Sequence, residues 1–484
     1  MADHRSTDGA RVALADGQSA SAILHSVLQA TAQQYPDLGD VPGLAQFRKG
    51  YDDAVCNFEL NRLKSDKRLE IAWFACQAMR KHLVWQDDGQ VIPLKEHVAQ
   101  AATSLPMATH VGPRAGDANP GWPVSMVYRG QRWDAAQFAT LGAEMAQRGI
   151  ISRGAAEALN WLQQNLPGGQ LDLRGRKVVV IGAGAEMAST RLWLRAGAQV
   201  LWLDVAPPPQ EWLDDAELSG TLVWPTEATD LLTQPARIRA TIEAFAADGA
   251  VDLALYAYAP GQAREVLLTG VMNEIVNSLP APLIASVTLL VSPTTPSALD
   301  QGDFDFITQR IAQRPAWEKV LDGIGLLGGT PAYQGVPPVA VPRTVVQIQG
   351  ASYQAAQYLG KLLIAECWAS LGQLDATAAA PLRVSANTAA ITKTRSLDHP
   401  VFAAAFGGAA AFGVETMTPR QSRTLNGLLA VHDWLQSEAP EPGTVRVHGG
   451  IHTLPYPLGT ALRIAAAIGF ARSPRLLGGL LGGK

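Results

Sequence analysis

The chain has 484 residues, a formal net charge of −4, 47% hydrophobic residues and 17% charged residues. That balance excludes a disordered chain and gives no electrostatic case for nucleic acid as a partner. Three widely spaced cysteines, Cys56, Cys76 and Cys367, offer neither a disulfide framework nor metal-ligand spacing, the usage of a reducing, cytoplasmic compartment.

Two or three domains are expected at this length. The polar N-terminus lacks the apolar segment of a secretory signal, and no uninterrupted apolar run reaches membrane-spanning length. Residues 20–110 carry helix-period apolar patterning, and residues 111–134, rich in Gly and Pro, read as a boundary. A second helical stretch over 135–166 ends at Pro167-Gly168-Gly169. Residues 1–170 are therefore expected to form a mostly helical N-terminal region without chemistry of its own.

From residue 171 the rhythm becomes strand, helix, strand, which predicts an α/β fold with a doubly wound parallel sheet over 171–400. Strands are expected at 178–183, 199–204, 221–227, 251–259, 283–292, 344–350 and 382–391, with a long helix over 352–371. An insertion at 293–343 contains Gly323-Ile324-Gly325-Leu326-Leu327-Gly328. No strand precedes that string and Thr330-Pro331 follows it, so it reads as a loop or lid and not as a nucleotide turn. Residues 401–484 are expected to be a helical C-terminal region, a possible substrate cover. Its stretch 401–416 is small and apolar, suited to close helix packing or to lining a lipid-like pocket. Its last part is apolar and basic, with Arg463, Arg472, Arg475 and Lys484. A helix packed on the core is the expectation there, and contact with a membrane surface is the alternative.

The chemistry concentrates in residues 177–204. An apolar strand runs into Gly182-Ala183-Gly184, a helix follows, and a second apolar strand ends on Asp204. Gly182 permits a tight turn, Gly184 lets the backbone approach a pyrophosphate, and the new helix's free N–H groups face the phosphates. Asp204 stands where a carboxylate accepts both ribose hydroxyls. Val205-Ala206-Pro207 follows it, so no cation awaits a 2′-phosphate, and the cofactor is expected to be NAD(H). Glu186 departs from the motif: a carboxylate in that first turn competes with a phosphate for the same N–H groups.

The order of these segments resembles the short-chain dehydrogenase/reductase superfamily over about 171–400. Gly182 to Ala188 sits at that family's TGxxxGxG turn, and the strand into Tyr256-Ala257-Tyr258-Ala259 resembles the one leading to its NNAG motif. The helix from Ser352 resembles the YxxxK helix, and residues 382–394 resemble the IRVNAxxPGxxxT segment. The resemblance implies an oxidoreductase with Gly182, Gly184, Glu186, Met187, Asp204 and Tyr256 against the cofactor. Thr392 and Thr394 would lie at the nicotinamide carboxamide, with Lys393 between them able to meet an anion. Tyr353 takes the family tyrosine's place, but Gln357 stands at the family lysine. The helix's lysine is Lys361, about 80° around a regular helix from Tyr353. This wider spacing is nearer the enoyl-reductase branches. Tyr358 lies one turn before Lys361 and is the alternative proton donor. Ser292, at a strand end, is the candidate helper serine, with Thr294 and Thr295 as rivals. The family's long helices also imply a homo-oligomer.

His448 and His452 have the spacing of a helical zinc pair, but Gly449-Gly450 between them and Pro455 after them argue against a helix, so no metal is expected. A loop over the substrate, with His452 and Tyr456 as contacts, fits that segment better. The function expected is NAD(H)-dependent hydride transfer at a carbonyl or conjugated enone of an apolar small molecule, with a tyrosine as proton donor. The altered YxxxK helix leaves two alternatives: a catalytically silent NAD(H) sensor or scaffold, and a non-redox lyase or isomerase with bound NAD.

Overall fold

The computed structural model describes residues 9–117, 121–261, 263–328, 330–374, 381–395 and 400–476. Lys484 and the glycine-rich residues before it lie outside them. One seven-stranded sheet organises the chain. Its strands are β1 (Met107–Val111), β2 (Lys177–Ile181), β3 (Gln199–Leu203), β4 (Thr221–Pro225), β5 (Val251–Leu255), β6 (Ile284–Val291) and β7 (Val384–Thr388). Their order is β7-β6-β5-β2-β3-β4-β1, and all pairs are parallel except β4 with β1. Strands β2 to β7 thus have the order of a Rossmann-like doubly wound sheet, with its topological switch point between β2 and β5.

The helices used below are α1 (Ala20–Gln34), α2 (Leu44–Lys64), α3 (Arg68–Arg80), α4 (Phe138–Gln147), α5 (Arg153–Asn165) and α6 (Thr190–Arg195). Later in the chain come α7 (Arg264–Ser278), α8 (Gln301–Ala312), α9 (Gly350–Gln357), α10 (Ile364–Leu374), α11 (Pro400–Gly408), α12 (Pro419–Leu435) and α13 (Leu458–Arg472).

Alternation along the strands builds two cores. Val179, Ile181, Leu201, Leu203, Leu253 and Leu255 face one side, with α1, α3, α7 and the run 350–374 over them. Val178, Val180, Val200, Trp202 and Ala254 face the other, under α4, α5, α6 and α12. Burial on both faces is why these strands read as continuous apolar runs.

The N-terminal stretch is woven into this frame. β1 forms the sheet's edge, α1 and α3 cover the run 350–374, and Arg80 of α3 pairs with Glu274 of α7. Met272 and Ile275 on α7, and Tyr358, Leu359 and Leu363 in the run 350–374, are buried within this one chain. Residues 83–93, inside the expected helical stretch, are instead a hairpin, Leu83–Asp87 with Gln90–Pro93. Asp88 and Gly89, at φ 42° and 82°, supply the left-handed pair that such a tight turn needs.

Two further expectations change. Residues 344–350 form no strand; a short 3-10 turn at Gln347–Gln349 leads directly into α9. Residues 293–343 hold α8, a second helix (Ala316–Gly323) and the hairpin Tyr333–Val336 with Val339–Pro342, so they fold around elements of their own.

Candidate functional site

Register brings the candidate residues to one edge. Ile181 pairs with both Leu203 and Leu255, so Gly182, Asp204 and Tyr256 leave the sheet side by side. Val291 pairs with Thr388, which sets Ser292 beside Ala389. All five positions lie at the carboxyl ends of parallel strands, where ligands of doubly wound sheets bind. Gly182, at φ 83°, is required there twice over: the conformation is left-handed, and a Cβ would overlap the Ala257 backbone.

The turn after β2 differs from the sequence expectation. No helix opens at Gly184; residues 182–189 make successive turns, and α6 begins at Thr190 and is six residues long. The Gly184 N–H donates to Asp204 Oδ2 at 2.9 Å, and Thr190 Oγ1 donates to the Ala183 carbonyl at 2.9 Å. Glu186 therefore does not compete at a helix N-terminus. Its Oε2 accepts the Arg395 N–H at 2.9 Å, tying this turn to the segment after β7.

Two adjoining cavities share Ala185 and Tyr258 in their walls. The first, about 690 Å³, is lined by Glu186, Met187, Tyr256, Ser292, Tyr353, Lys361, Thr392 and Thr394, eight of the predicted residues. Phe402, Ala405, Phe406, Leu458, Leu462 and Ala465 give it an apolar far wall. The second, about 1060 Å³, runs from Gly182, Gly184 and Asp204 past Val205, Asp230 and Leu231 to Ala257. The residues of the second cavity suit an adenosine: a carboxylate at a strand tip, a close backbone approach and apolar side chains beside them. Asp204 accepts the Gly184 N–H through Oδ2 and, at the longer distance of 3.4 Å, the Ala206 N–H through Oδ1, and a carboxylate keeps further lone pairs for a ribose.

In the first cavity, burial pushes the Tyr353 hydroxyl up, and a hydrogen bond with Ser292 offsets part of that rise. Ser292 Oγ is also 2.8 Å from Thr294 Oγ1, which donates to Gln349 Oε1 at 2.6 Å. Gln357, in the family lysine's place, accepts the Ser292 N–H through Oε1 at 2.8 Å. It positions the serine and supplies no charge. The cation is Lys361, whose Nζ donates to the Leu290 carbonyl at 3.0 Å. Burial alone pulls it down to about 8, and no carboxylate pairs with it among the described residues.

A π-turn over Tyr358–Leu363 separates α9 from α10. Its i→i+5 bonding takes more residues per turn than an α-helix, so Lys361 swings back toward the face of Tyr353. Tyr358, five residues after Tyr353 and so about 140° around the helix, points the other way. Its hydroxyl donates to Glu59 Oε2 at 2.7 Å inside the buried α2 cluster of Glu59 and Arg62, and it does not line the cavity. Burial and Glu59 push its hydroxyl well up.

Sequence reasoning missed Gln349 and Glu265, and it placed Tyr258 in the segment after β5 without giving it a role. Glu265 Oε2 accepts the Ser352 hydroxyl at 2.7 Å, and the Tyr258 and Tyr353 rings, both lining the cavity, meet edge to face. Gln349 and Glu265 stand in no recognisable motif. Thr295 stays outside the cavity, as do His452 and Tyr456, while Ile451 and Leu454 from the same loop line it. His452 binds Asp303, and Tyr456 donates to Glu318.

The wall formed by α11 and α13 depends on glycine. A Cβ on Gly408 would overlap the Ala465 carbonyl, and one on Gly469 the Ala404 carbonyl. The small residues at 401–416 thus serve close helix contact, and the same pair of helices lines the cavity. No helix among the described residues is long and apolar enough to cross a membrane.

No protein-family model matches the chain, and no curated protein matches it. One solved structure that aligns with it is the crystal structure of an NADH-dependent reductase, A1-R′, responsible for alginate metabolism. It is 13% identical, with a TM-score of 0.32, over 56% of this chain and 95% of that one. A likeness that slight bears on neither fold nor function; the strand order carries the fold by itself.

Proposed function

We propose that the chain is an NAD(H)-dependent oxidoreductase that reduces a carbonyl or conjugated enone on an apolar small molecule. The observation that carries this reading is the convergence of Ser292, Tyr353 and Lys361 on one cavity at the carboxyl edge of a Rossmann-like sheet. A second cavity suited to an adenosine opens beside it. The cofactor, when bound, supplies the hydride.

The chain's own groups do the rest. Gly182, Gly184 and Asp204 hold the nucleotide half, with Glu186 and Met187 on the first cavity's wall beside the shared Ala185. Tyr256, Thr392 and Thr394 line the nicotinamide side. Tyr353 O–H gives its proton to the substrate oxygen or its enolate as charge develops. Ser292, held by Gln357 through its backbone, hydrogen-bonds the same oxygen. Lys361 presents a cation in a site of low dielectric, where it stabilises that charge far more than it would in water. The apolar wall of α11 and α13 excludes water and favours a lipid-like substrate.

Gln357 in place of the family lysine favours a second reading, an NAD(H)-binding sensor without turnover. NADH oxidation followed against a panel of apolar ketones and enones separates the two. Turnover that Tyr353→Phe abolishes while NADH binding persists supports the enzyme. Tight NADH binding with no turnover on any member of the panel supports the sensor. Turnover unchanged in Tyr353→Phe removes the proton donor from the account.

A further inference from the structure

His448 is 5% exposed, and neither of its ring nitrogens has a hydrogen-bond partner. Nδ1 of the adjacent His452 is also buried without a partner, and the two ring centroids lie 4.4 Å apart. A neutral imidazole carries one donor and one acceptor, and leaving such groups unmet in a dry site is costly. Three orphan imidazole nitrogens in one place are an exception that calls for a ligand.

Asp303, on α8, completes the group. Its Oδ1 stands 2.9 Å from His452 Nε2, and ligand atoms of Asp303, His448 and His452 all lie within 4.8 Å of one another. Ligands bound at tetrahedral zinc distances are about 3.3 Å apart, so modest side-chain movement closes the set. The segment 448–452 meets the geometry without a helix. Gly449 and Gly450, at φ 72° and 80°, fold it into a loop that turns both imidazoles onto the acid.

We propose that Asp303, His448 and His452 bind one divalent transition-metal ion, with Zn²⁺ the member of that class that suits them best. Two imidazoles and one carboxylate favour such an ion over Mg²⁺ or Ca²⁺, which take all-oxygen ligand sets. None of the three residues lines the cavity that holds Tyr353, so the ion acts as a clamp and not as a reagent. It joins the insertion, through α8, to the loop whose Ile451 and Leu454 form part of the cavity wall.

The test uses the full chain, stripped with a chelator and titrated with Co²⁺ as the probe. The proposal expects one Co²⁺ per chain with ligand-field absorption in the visible, displaced by one equivalent of Zn²⁺ and not by Mg²⁺. Zn²⁺ raises the melting midpoint of the stripped protein. His448→Ala and His452→Ala each weaken binding by at least about tenfold. Absence of saturable one-per-chain binding in the unaltered protein overturns the proposal, whatever the variants do. So does equal binding by the double variant His448→Ala/His452→Ala, which would leave buried water as the partner of these rings. If the variants fail to fold, the cobalt spectrum of the unaltered chain decides between nitrogen–oxygen ligation and none.

Discussion

Asp204 Oδ2 accepts the Gly184 N–H at 2.9 Å, so the residue expected at the ribose also fixes the turn expected at the pyrophosphate. Two strand ends that the register sets side by side are thereby made into one unit. The bond organises the glycine turn before any nucleotide arrives, and preorganisation of this kind lowers the cost of binding. It also explains how a turn that opens no helix at Gly184 keeps a defined shape.

Asp204→Ala removes both the ribose acceptor and the partner of Gly184. NADH affinity is expected to fall by at least about tenfold, the loss of one or two charge-assisted hydrogen bonds. Asp204→Asn keeps one acceptor oxygen for Gly184 and is expected to lose less. Fluorescence titration of both variants with NADH checks the order, and equal affinity in all three proteins contradicts it.

Tyr353→Phe is expected to lower kcat by about 10²–10⁴-fold, the contribution of a positioned general acid, with NADH affinity unchanged. Tyr358→Phe is expected to leave kcat nearly unchanged and to cost stability, because its hydroxyl is bound to Glu59 in the core. A reversal of these two effects would return the catalytic role to Tyr358.

Lys361 gives a signature in pH. Its pKa is about 8 in the fold against about 10.4 in an unfolded chain, so the unfolded state binds the proton more tightly. Burying this cation therefore costs stability in full below about pH 8, and the cost fades as pH rises toward about 10.4. The difference corresponds to about 3 kcal/mol. Lys361→Met is expected to gain stability relative to the parent at pH 7, less about 1–3 kcal/mol for the unpaired Leu290 carbonyl. The gain shrinks by pH 10. Urea midpoints of both proteins at the two pH values test this, and a gap that does not change with pH refutes it. Reduction by the parent should also slow as pH passes about 8 and the cation is lost.

Gly469→Val forces a side chain into the Ala404 backbone. Overpacking at such a contact costs about 1–3 kcal/mol and spreads α11 from α13. KM for the apolar substrate is expected to rise while NADH affinity holds, since this wall lies away from Asp204. Loss of both together would show that the two cavities do not act as separate subsites.

Strands β2 to β6 were legible because each is a short apolar run buried on both faces and closed by Gly, Pro or a polar residue. The grouping of Gly182 with Asp204 followed from that rhythm alone. The placing of Lys361 toward Tyr353 and away from Tyr358 was not legible, because a regular helix was assumed where six residues form a π-turn. The expected strand at 344–350 failed for a similar reason: Val345 and Val346 have strand chemistry, but the next three residues turn tightly into α9. The hairpin at 83–93 had a local signal in Asp88-Gly89 that the surrounding helical pattern hid. The cover of α1 and α3 over 350–374 had none, since it depends on contacts hundreds of residues apart.

The most direct test of the account is titration of the purified chain with NADH, followed by nicotinamide fluorescence, beside the same titration of Asp204→Ala. The account predicts saturable binding below millimolar concentration to the parent and at least about tenfold weaker binding to the variant. Absence of binding to the parent, or equal binding to both, would contradict it.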